Sequence, residues 1–309
     1  MSEGEKRNKI ASGRFSPLRY PGGKGKLAKF LTNVIRENQL SDGLYVEPYA
    51  GGAAIACELL LKGVVRKIHI NDLDPAIYSF WNAVVHDTDE LLSMISETPI
   101  TVDEWEKQKR IFRSEAQNPS LALGFAMFYL NRTNRSGILN AGPIGGKDQS
   151  GNWKIDARFN KKALSQLIGD IAQFSTKIIV TQLDAVEVAK AYESSPPPRT
   201  LIYFDPPYYE KGRHLYYNYY SQGDHAEVSA SIRKLAECRW IVSYDDVEPI
   251  HALYANEACL RYRIGYSARN VVQGHEAMFF SEGLKMPSVQ GAMMEVSRSS
   301  IASDAAFAN

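Results

Sequence analysis

The strongest constraint on the fold is a repeated switch between short apolar runs and helical periodicity. Apolar runs at 43–48, 64–72, 176–184, 200–204 and 239–246 read as strands. Between them, 26–38, 51–63, 75–84, 161–174, 184–194 and 224–237 carry apolar residues at helical spacing. Leu27, Phe30, Leu31, Val34 and Ile35 show that spacing clearly. Near-continuous apolar strands alternating with helices predict an α/β fold, with a mostly parallel sheet covered on both faces. Segments 259–267 and 275–283 fit an antiparallel C-terminal hairpin at the sheet edge. In parallel sheets ligands sit beyond the carboxyl ends of the strands. That rule brings Pro48–Gly52, Asp72, Asp184 and Asp205–Tyr208 to one mouth.

The alternation is interrupted once. Residues 86–160 mix helical stretches with a Gly- and Asn-rich segment, 131–153, and are expected to form an inserted subdomain. The flanking parts, 17–85 and 161–283, are then one sheet domain, and 1–16 and 284–309 are expected to be mobile termini. Charge is uneven along this plan. Residues 1–30 hold eight Lys or Arg against two acids, and 101–162 hold eleven against six, in a chain of net charge +1. Such a distribution fits either a cationic groove or ordinary solvated surface. No run is long and apolar enough to span a bilayer, and the first ten residues lack a signal-peptide core. The expectation is a cytoplasmic protein without membrane contact. Cys57, Cys238 and Cys259 are scattered, which suits small apolar roles and neither a disulfide framework nor a metal site.

"EPYAGGAA" (47–54) sets small residues between a strand and a helix, where a backbone can approach a ligand closely. The spacing is not the Gly-x-Gly-x-x-Gly of dinucleotide enzymes. Glu47 would repel a pyrophosphate but can face a cationic amino group, so a zwitterionic nucleoside suits the turn better. A plain packing turn is the alternative. Asp72, 20 residues after Gly52, can accept both hydroxyls of a ribose. Asp74 fits a cap for the helix starting at Pro75. Asp184 can either accept from an adenine amino group or cap a helix. "YPGGKGK" (20–26) is not a phosphate loop, because Leu27 stands where a hydroxyl is required. It reads instead as a glycine turn holding Lys24 near a carboxylate.

"DPPYY" (205–209) is the sharpest chemical signal. An exocyclic adenine nitrogen is a poor nucleophile, because its lone pair is delocalised into the ring. The Asp205 carboxylate and the Pro206 carbonyl can accept its two hydrogens. Pro206 and Pro207 stiffen the backbone, and acceptors fixed in place gain most in the transition state. Tyr208 can stack on a base. Residues 203–220 contain seven tyrosines, including Tyr216, Tyr217, Tyr219 and Tyr220. The alternative is a rigid loop after a strand.

These motifs in this order resemble the bacterial and phage adenine-N6 DNA methyltransferases of the GATC-methylase type, over roughly residues 17–283. "RYPGGKGKL" (19–27), "VEPYAGGAA" (46–54), "INDLDP" (70–75), "TQLDAVEV" (181–188), "FDPPYY" (204–209) and "VSYDD" (242–246) carry the likeness. The resemblance implies a Rossmann-like S-adenosylmethionine-dependent methyltransferase sheet with an inserted DNA-recognition subdomain. It implies S-adenosyl-L-methionine as cofactor, S-adenosyl-L-homocysteine as product, and double-stranded DNA as partner, with functional pairing to a restriction endonuclease a possibility. Cofactor contacts carry over to Tyr20, Lys24, Glu47, Pro48, Ala50, Gly51, Gly52, Asp72, Leu73, Asp184, Ala185 and Asp205. Catalytic roles carry over to Asp205, Pro206, Pro207 and Tyr208. The target adenine is expected to be flipped out of the duplex. "YLNRTNRSGI" (129–138) resembles a segment shaping the target-base side, and Arg132, Asn134, Arg135, Lys147 and Lys154 are the candidate DNA contacts. The loop 139–153 follows the family pattern only in part, so no target sequence is assigned. Two other classes compete: an N-methyltransferase for RNA or protein glutamine, and a non-catalytic DNA-binding protein on the same fold. A nicotinamide dehydrogenase lacks its fingerprint here.

Overall fold

The computed structural model describes residues 15–19, 24–210, 220–265 and 273–300. Its centre is an eight-stranded sheet built from β1 (Leu44–Glu47), β2 (Lys67–Asn71), β3 (Ile178–Thr181), β4 (Thr200–Phe204), β5 (Arg239–Asp245), β6 (Ala258–Gly265), β7 (Gln273–Phe280) and β8 (Met293–Ser299). The spatial order is β3-β2-β1-β4-β5-β7-β6-β8. The first five strands pair in parallel, and β7, β6 and β8 continue the sheet antiparallel. The helices are α1 (Ala28–Glu37), α2 (Ala54–Leu61), α3 (Pro75–His86), α4 (Thr88–Glu97), α5 (Val102–Ser114), α6 (Leu121–Thr133), α7 (Lys161–Ala172), α8 (Ala185–Glu193), α9 (Gln222–Arg233) and α10 (Glu248–Leu253).

β1 and β4 are buried along their whole length, as strands covered on both faces must be. One apolar cluster includes Leu27, Phe30, Ile55, Ile68 and Phe80, and the other includes Val46, Val188, Ile202, Val228 and Trp240. Chain order reverses on either side of β1, so β1 and β4 flank the topological switch point. Their register, Val46 opposite Ile202, brings Glu47 and Asp205 out of adjacent strand ends. The expected caps are present. Asp74 accepts from the Ala76 N–H at the start of α3, with Pro75 in the first turn. Asp184 and Glu187 form a reciprocal capping box at α8.

Two features differ from the sequence expectation. The 259–267 and 275–283 hairpin exists as β6 and β7, but it is not the edge. β7 lies between β5 and β6, and β8 adds beyond β6. Residues 293–299, expected within a mobile terminus, are therefore a paired strand. The alternating signal was weak there because only Met293 is buried in that strand. The second feature concerns 86–160. Its α6 is buried on nearly every side, and Gly124 lets it lie against α3 with no room between them. A Cβ at Gly124 would come within 2.6 Å of the Ser79 backbone. Trp105, Phe125, Phe128 and Phe159 belong to the same apolar cluster as Leu27 and Ile68. The inserted block thus shares its core with the sheet.

Candidate active site

Each parallel strand delivers part of the site at its carboxyl end. After β1, the chain turns through Pro48–Gly52 into α2. Gly51 has φ +46°, a conformation glycine adopts without penalty. Its N–H donates to Asp72 Oδ2 at 2.8 Å, and its carbonyl accepts from Trp81 Nε1 at 2.9 Å. Pro48 and Ala50 are tied to the end of β2, through the Asn71 side chain and the Asn71 carbonyl. Ser16 Oγ donates to the Gly52 carbonyl. Asp72 is half-buried, and its other oxygen accepts from the Asp74 N–H at 3.0 Å. Burial, with Asp74 beside it, pushes the Asp72 carboxyl up to about 7. Leu73 is exposed beside it, as is Leu183 on the approach to α8. Ala185 is buried in the first turn of α8. Asp184 uses one oxygen on the Val186 N–H at 2.8 Å. Tyr49 and Tyr220, missed as a pair in the sequence, meet through their hydroxyls at 3.0 Å. Tyr20, Gly22, Gly23, Tyr216, Tyr217 and Tyr219 lie outside the described residues.

Glu47 sits at the floor, buried. Its Oε1 accepts from the Tyr45 hydroxyl at 3.0 Å and the Ala56 N–H at 3.2 Å. Burial outweighs both hydrogen bonds and raises its carboxyl to about 8. Without a cation beside it, burial thus favours the neutral form of Glu47.

After β4 comes Asp205. Its Oδ1 accepts from Ser243 Oγ at 2.9 Å and lies 3.6 Å from Lys24 Nζ. The Tyr203 hydroxyl lies 2.7 Å from Ser243 Oγ and completes the chain. Oδ2 has no hydrogen-bond partner among the described residues, on a side chain that is 25 % exposed at the carboxyl end of β4. Burial raises the Asp205 carboxyl above its usual range, and Lys24 opposes that. Pro206 is buried, while Pro207 and Tyr208 are half-buried. Lys24, only 6 % exposed, has its ammonium 2.5 Å from Glu276, 3.2 Å from the Tyr208 hydroxyl and 5.1 Å from the Tyr208 ring centre. Burial works against its charge, but Asp205 and Glu276 outweigh burial and hold it protonated. Glu276 and Tyr262 carried no sequence signal, because they stand in the hairpin, far along the chain from Lys24.

The inserted block is built differently. Arg132 is buried and gives its guanidinium to the Arg158 and Pro17 carbonyls. Asn134 is fully buried, accepts from Trp105 Nε1 at 2.6 Å and donates to the Ile138 and Leu139 carbonyls. Both side chains expected at the DNA are thus enclosed and matched to protein partners, which they would have to leave to reach a phosphate. With Asn131, which exchanges hydrogen bonds with the Arg19 backbone, they hold the segment leading to Lys24. Arg135 is exposed. Lys147 is exposed and paired with Glu106 at 2.5 Å, and Lys154 is exposed and donates to the Gln149 carbonyl. Trp153, which the sequence reading passed over, is 68 % exposed, with the Arg158 guanidinium 5.8 Å from its ring centre.

Residues 20–265 match the family of D12 class N6 adenine-specific DNA methyltransferases. The chain belongs to that family. A curated relative, the Type II methyltransferase M.MjaIII of Methanocaldococcus jannaschii, is 27% identical over 214 residues, 62% of this chain and 68% of the relative. Among solved structures, the rRNA methyltransferase aviRa of Streptomyces viridochromogenes covers 90% of this chain and 93% of its own at 14% identity, with a TM-score of 0.40. LPL1258 of Legionella pneumophila covers 84% and 86% at 12% identity, with a TM-score of 0.30. Those two likenesses are too distant to carry an argument. Family membership makes this D12-class chain a methyltransferase and supports DNA as its substrate. No helix among the described residues is long and apolar enough to cross a membrane.

Proposed function

We propose that this D12-class chain methylates the N6 amino group of an adenine in double-stranded DNA, with S-adenosyl-L-methionine as methyl donor. The observation that carries the reading is Asp205. One of its oxygens is held by Ser243 and faces Lys24, while the other has no partner among the described residues, on a partly exposed side chain that follows β4 at the switch point.

The residues around the mouth suit the donor. Lys24 is matched by Asp205 and Glu276, and Glu47 and Asp72 add two raised carboxyl groups whose ionisation a cationic ligand would favour, which suits a ligand bearing positive charge. The Gly51–Gly52 turn offers close backbone approach, Asp72 offers ribose acceptors, and Leu73 and Leu183 offer exposed apolar surface for a nucleobase. When bound, the donor supplies an activated methyl group and leaves as S-adenosyl-L-homocysteine. The protein's own work is alignment, which can contribute roughly 7–11 kcal/mol for well-oriented groups. Asp205 Oδ2 and the Pro206 carbonyl accept the two amino hydrogens and favour an electron-rich nitrogen. The paired prolines keep those acceptors from relaxing. Tyr208 stacks on the base, and Asp205 or water takes the proton released after transfer. An adenine in a duplex must leave its stack to reach this loop. Arg135, Lys147, Lys154, Trp153 and Arg158 form the proposed DNA-facing surface.

Tritium transfer to duplex DNA, RNA and protein, followed by single-base mapping of N6-methyladenine, tests the reading. Label on adenine N6 of duplex DNA is expected. Label confined to RNA or protein would overturn it.

A further inference from the structure

The Lys24 ammonium lies closer to Glu276 than to the motif aspartate: 2.5 Å from Glu276 and 3.6 Å from Asp205. Glu276 is 2 % exposed and stands on β7, opposite Tyr262 on β6 and Asp245 on β5. Its Oε2 accepts from Lys24 and from the Tyr262 hydroxyl at 2.7 Å, and its Oε1 accepts from the Tyr208 hydroxyl at 2.9 Å. Its register neighbour Asp245 accepts the backbone N–H groups of Tyr209 and Glu210, at 2.9 and 3.0 Å. Two carboxylates on adjacent strands therefore grip Tyr208 at both ends: Glu276 by its hydroxyl, Asp245 by the chain just after it.

A buried ammonium needs a buried counter-charge. If Asp205 supplied it alone, the same carboxylate would have to neutralise Lys24 and accept from a substrate. We propose that Glu276 is a positioning residue, the resident counter-ion of Lys24. It takes the shorter contact with that ammonium, leaving Asp205 only the longer one through Oδ1, and anchors the Tyr208 ring, so that Asp205 Oδ2 stays available as an acceptor. The inference rests on the methyl-transfer reading for its kinetic consequence, but not for its structural one. Glu276→Gln preserves shape and removes the charge. The ammonium is then drawn onto Asp205, and Tyr208 loses a charged acceptor.

The test uses the full chain and two readouts. The first is the side-chain ammonium signal of Lys24 in nitrogen–proton NMR, assigned by its loss in Lys24→Met. It is expected to be protected from exchange in the wild type, and shifted or lost in Glu276→Gln. The second is steady-state methyl transfer to duplex DNA. In Glu276→Gln kcat is expected to fall about 100-fold, the scale of a roughly 1 Å misplacement of reacting groups, with KM for DNA little changed. Glu276→Asp, which keeps the charge, is expected to recover part of the loss. Wild-type kcat and an unmoved Lys24 signal in Glu276→Gln would overturn the proposal while leaving the methyl-transfer reading intact. If the wild type transfers no methyl group to DNA, that reading fails, and the NMR signal alone decides Glu276. Should Glu276→Gln not fold, Glu276→Asp draws the carboxylate back from Lys24 by one methylene. A moved Lys24 signal supports the proposal there, and an unmoved one overturns it.

Discussion

The mouth of the parallel sheet and the inserted block at 86–160 are both rich in polar side chains, yet they use them in opposite ways. At the mouth, charged groups are buried and matched to one another, and among the described residues Asp205 Oδ2 and Glu47 Oε2 are left without a partner. In the inserted block, buried Arg132 and Asn134 are matched to backbone carbonyls, and the cationic and aromatic groups in solvent are their exposed neighbours. Burial raises the worth of each fixed dipole, because water no longer screens it. Chemistry is therefore concentrated where carboxylates are enclosed. The proposed nucleic-acid contact falls on the exposed side, where Arg135, Lys154 and Trp153 stand and where counterion release would supply affinity.

The contrast breaks most visibly at Asp205. Asp205→Ala is expected to leave the fold intact, because Lys24 keeps Glu276 as its counter-charge. Methyl transfer is expected to fall about 1000-fold or more, the scale seen when a preorganised transition-state partner is removed. Tritium transfer measured alongside a thermal melt checks both halves, and a variant as active as the wild type would erase the distinction drawn for the mouth.

Within the inserted block, two arginines three residues apart should behave differently. Arg132→Ala is expected to cost about 2 kcal/mol of stability, because buried carbonyls lose a charged donor, and to leave the salt dependence of DNA binding unchanged. Arg135→Ala is expected to leave stability unchanged, weaken binding across sequences and lower the slope of log affinity against log salt by about 1. Melting curves and binding titrations at several salt concentrations separate the two, and a salt-slope change in Arg132→Ala would reverse the assignment.

The smallest effect sharpens the electrostatics of the mouth. The Glu47 carboxyl is raised from 4.5 to about 8 on folding. A raised carboxyl contributes stability that is fully present below the unfolded value and is lost as pH climbs through the folded one. Wild-type Tm should therefore fall between pH 5 and 8, and Glu47→Gln should remove part of that fall, by ~2 °C or more. Asp72 acts in the same direction with its carboxyl near 7, so the difference between the wild-type and variant profiles is what isolates Glu47. Identical profiles would mean that Glu47 is ionised in the folded protein throughout.

Much of this arrangement is legible in the chain, and for a local reason. Strand–helix alternation, the turn after β1, the Asp74 and Asp184 caps and the strand-to-Asp-Pro-Pro transition each lie within a few neighbouring residues. Periodicity and backbone preference act over that range. Parallel pairing then forces the carboxyl ends of β1, β2, β3 and β4 to one side, so 47–52, 72, 184 and 205–208 converge without further information. Asp184 illustrates the reach of local reading: its capping bond at α8 follows from its immediate neighbours.

What the chain determined by itself is the α/β alternation, the side of the sheet that carries the site and the order of its motifs, because these follow from local pattern and strand direction. Tertiary structure alone decided which charges are enclosed. It brought Glu276 to Lys24 across 252 residues, turned Arg132 inward, left Trp153 in solvent and added β8 beyond the hairpin. Burial and ion pairing depend on which distant segments pack together, and no local pattern encodes that.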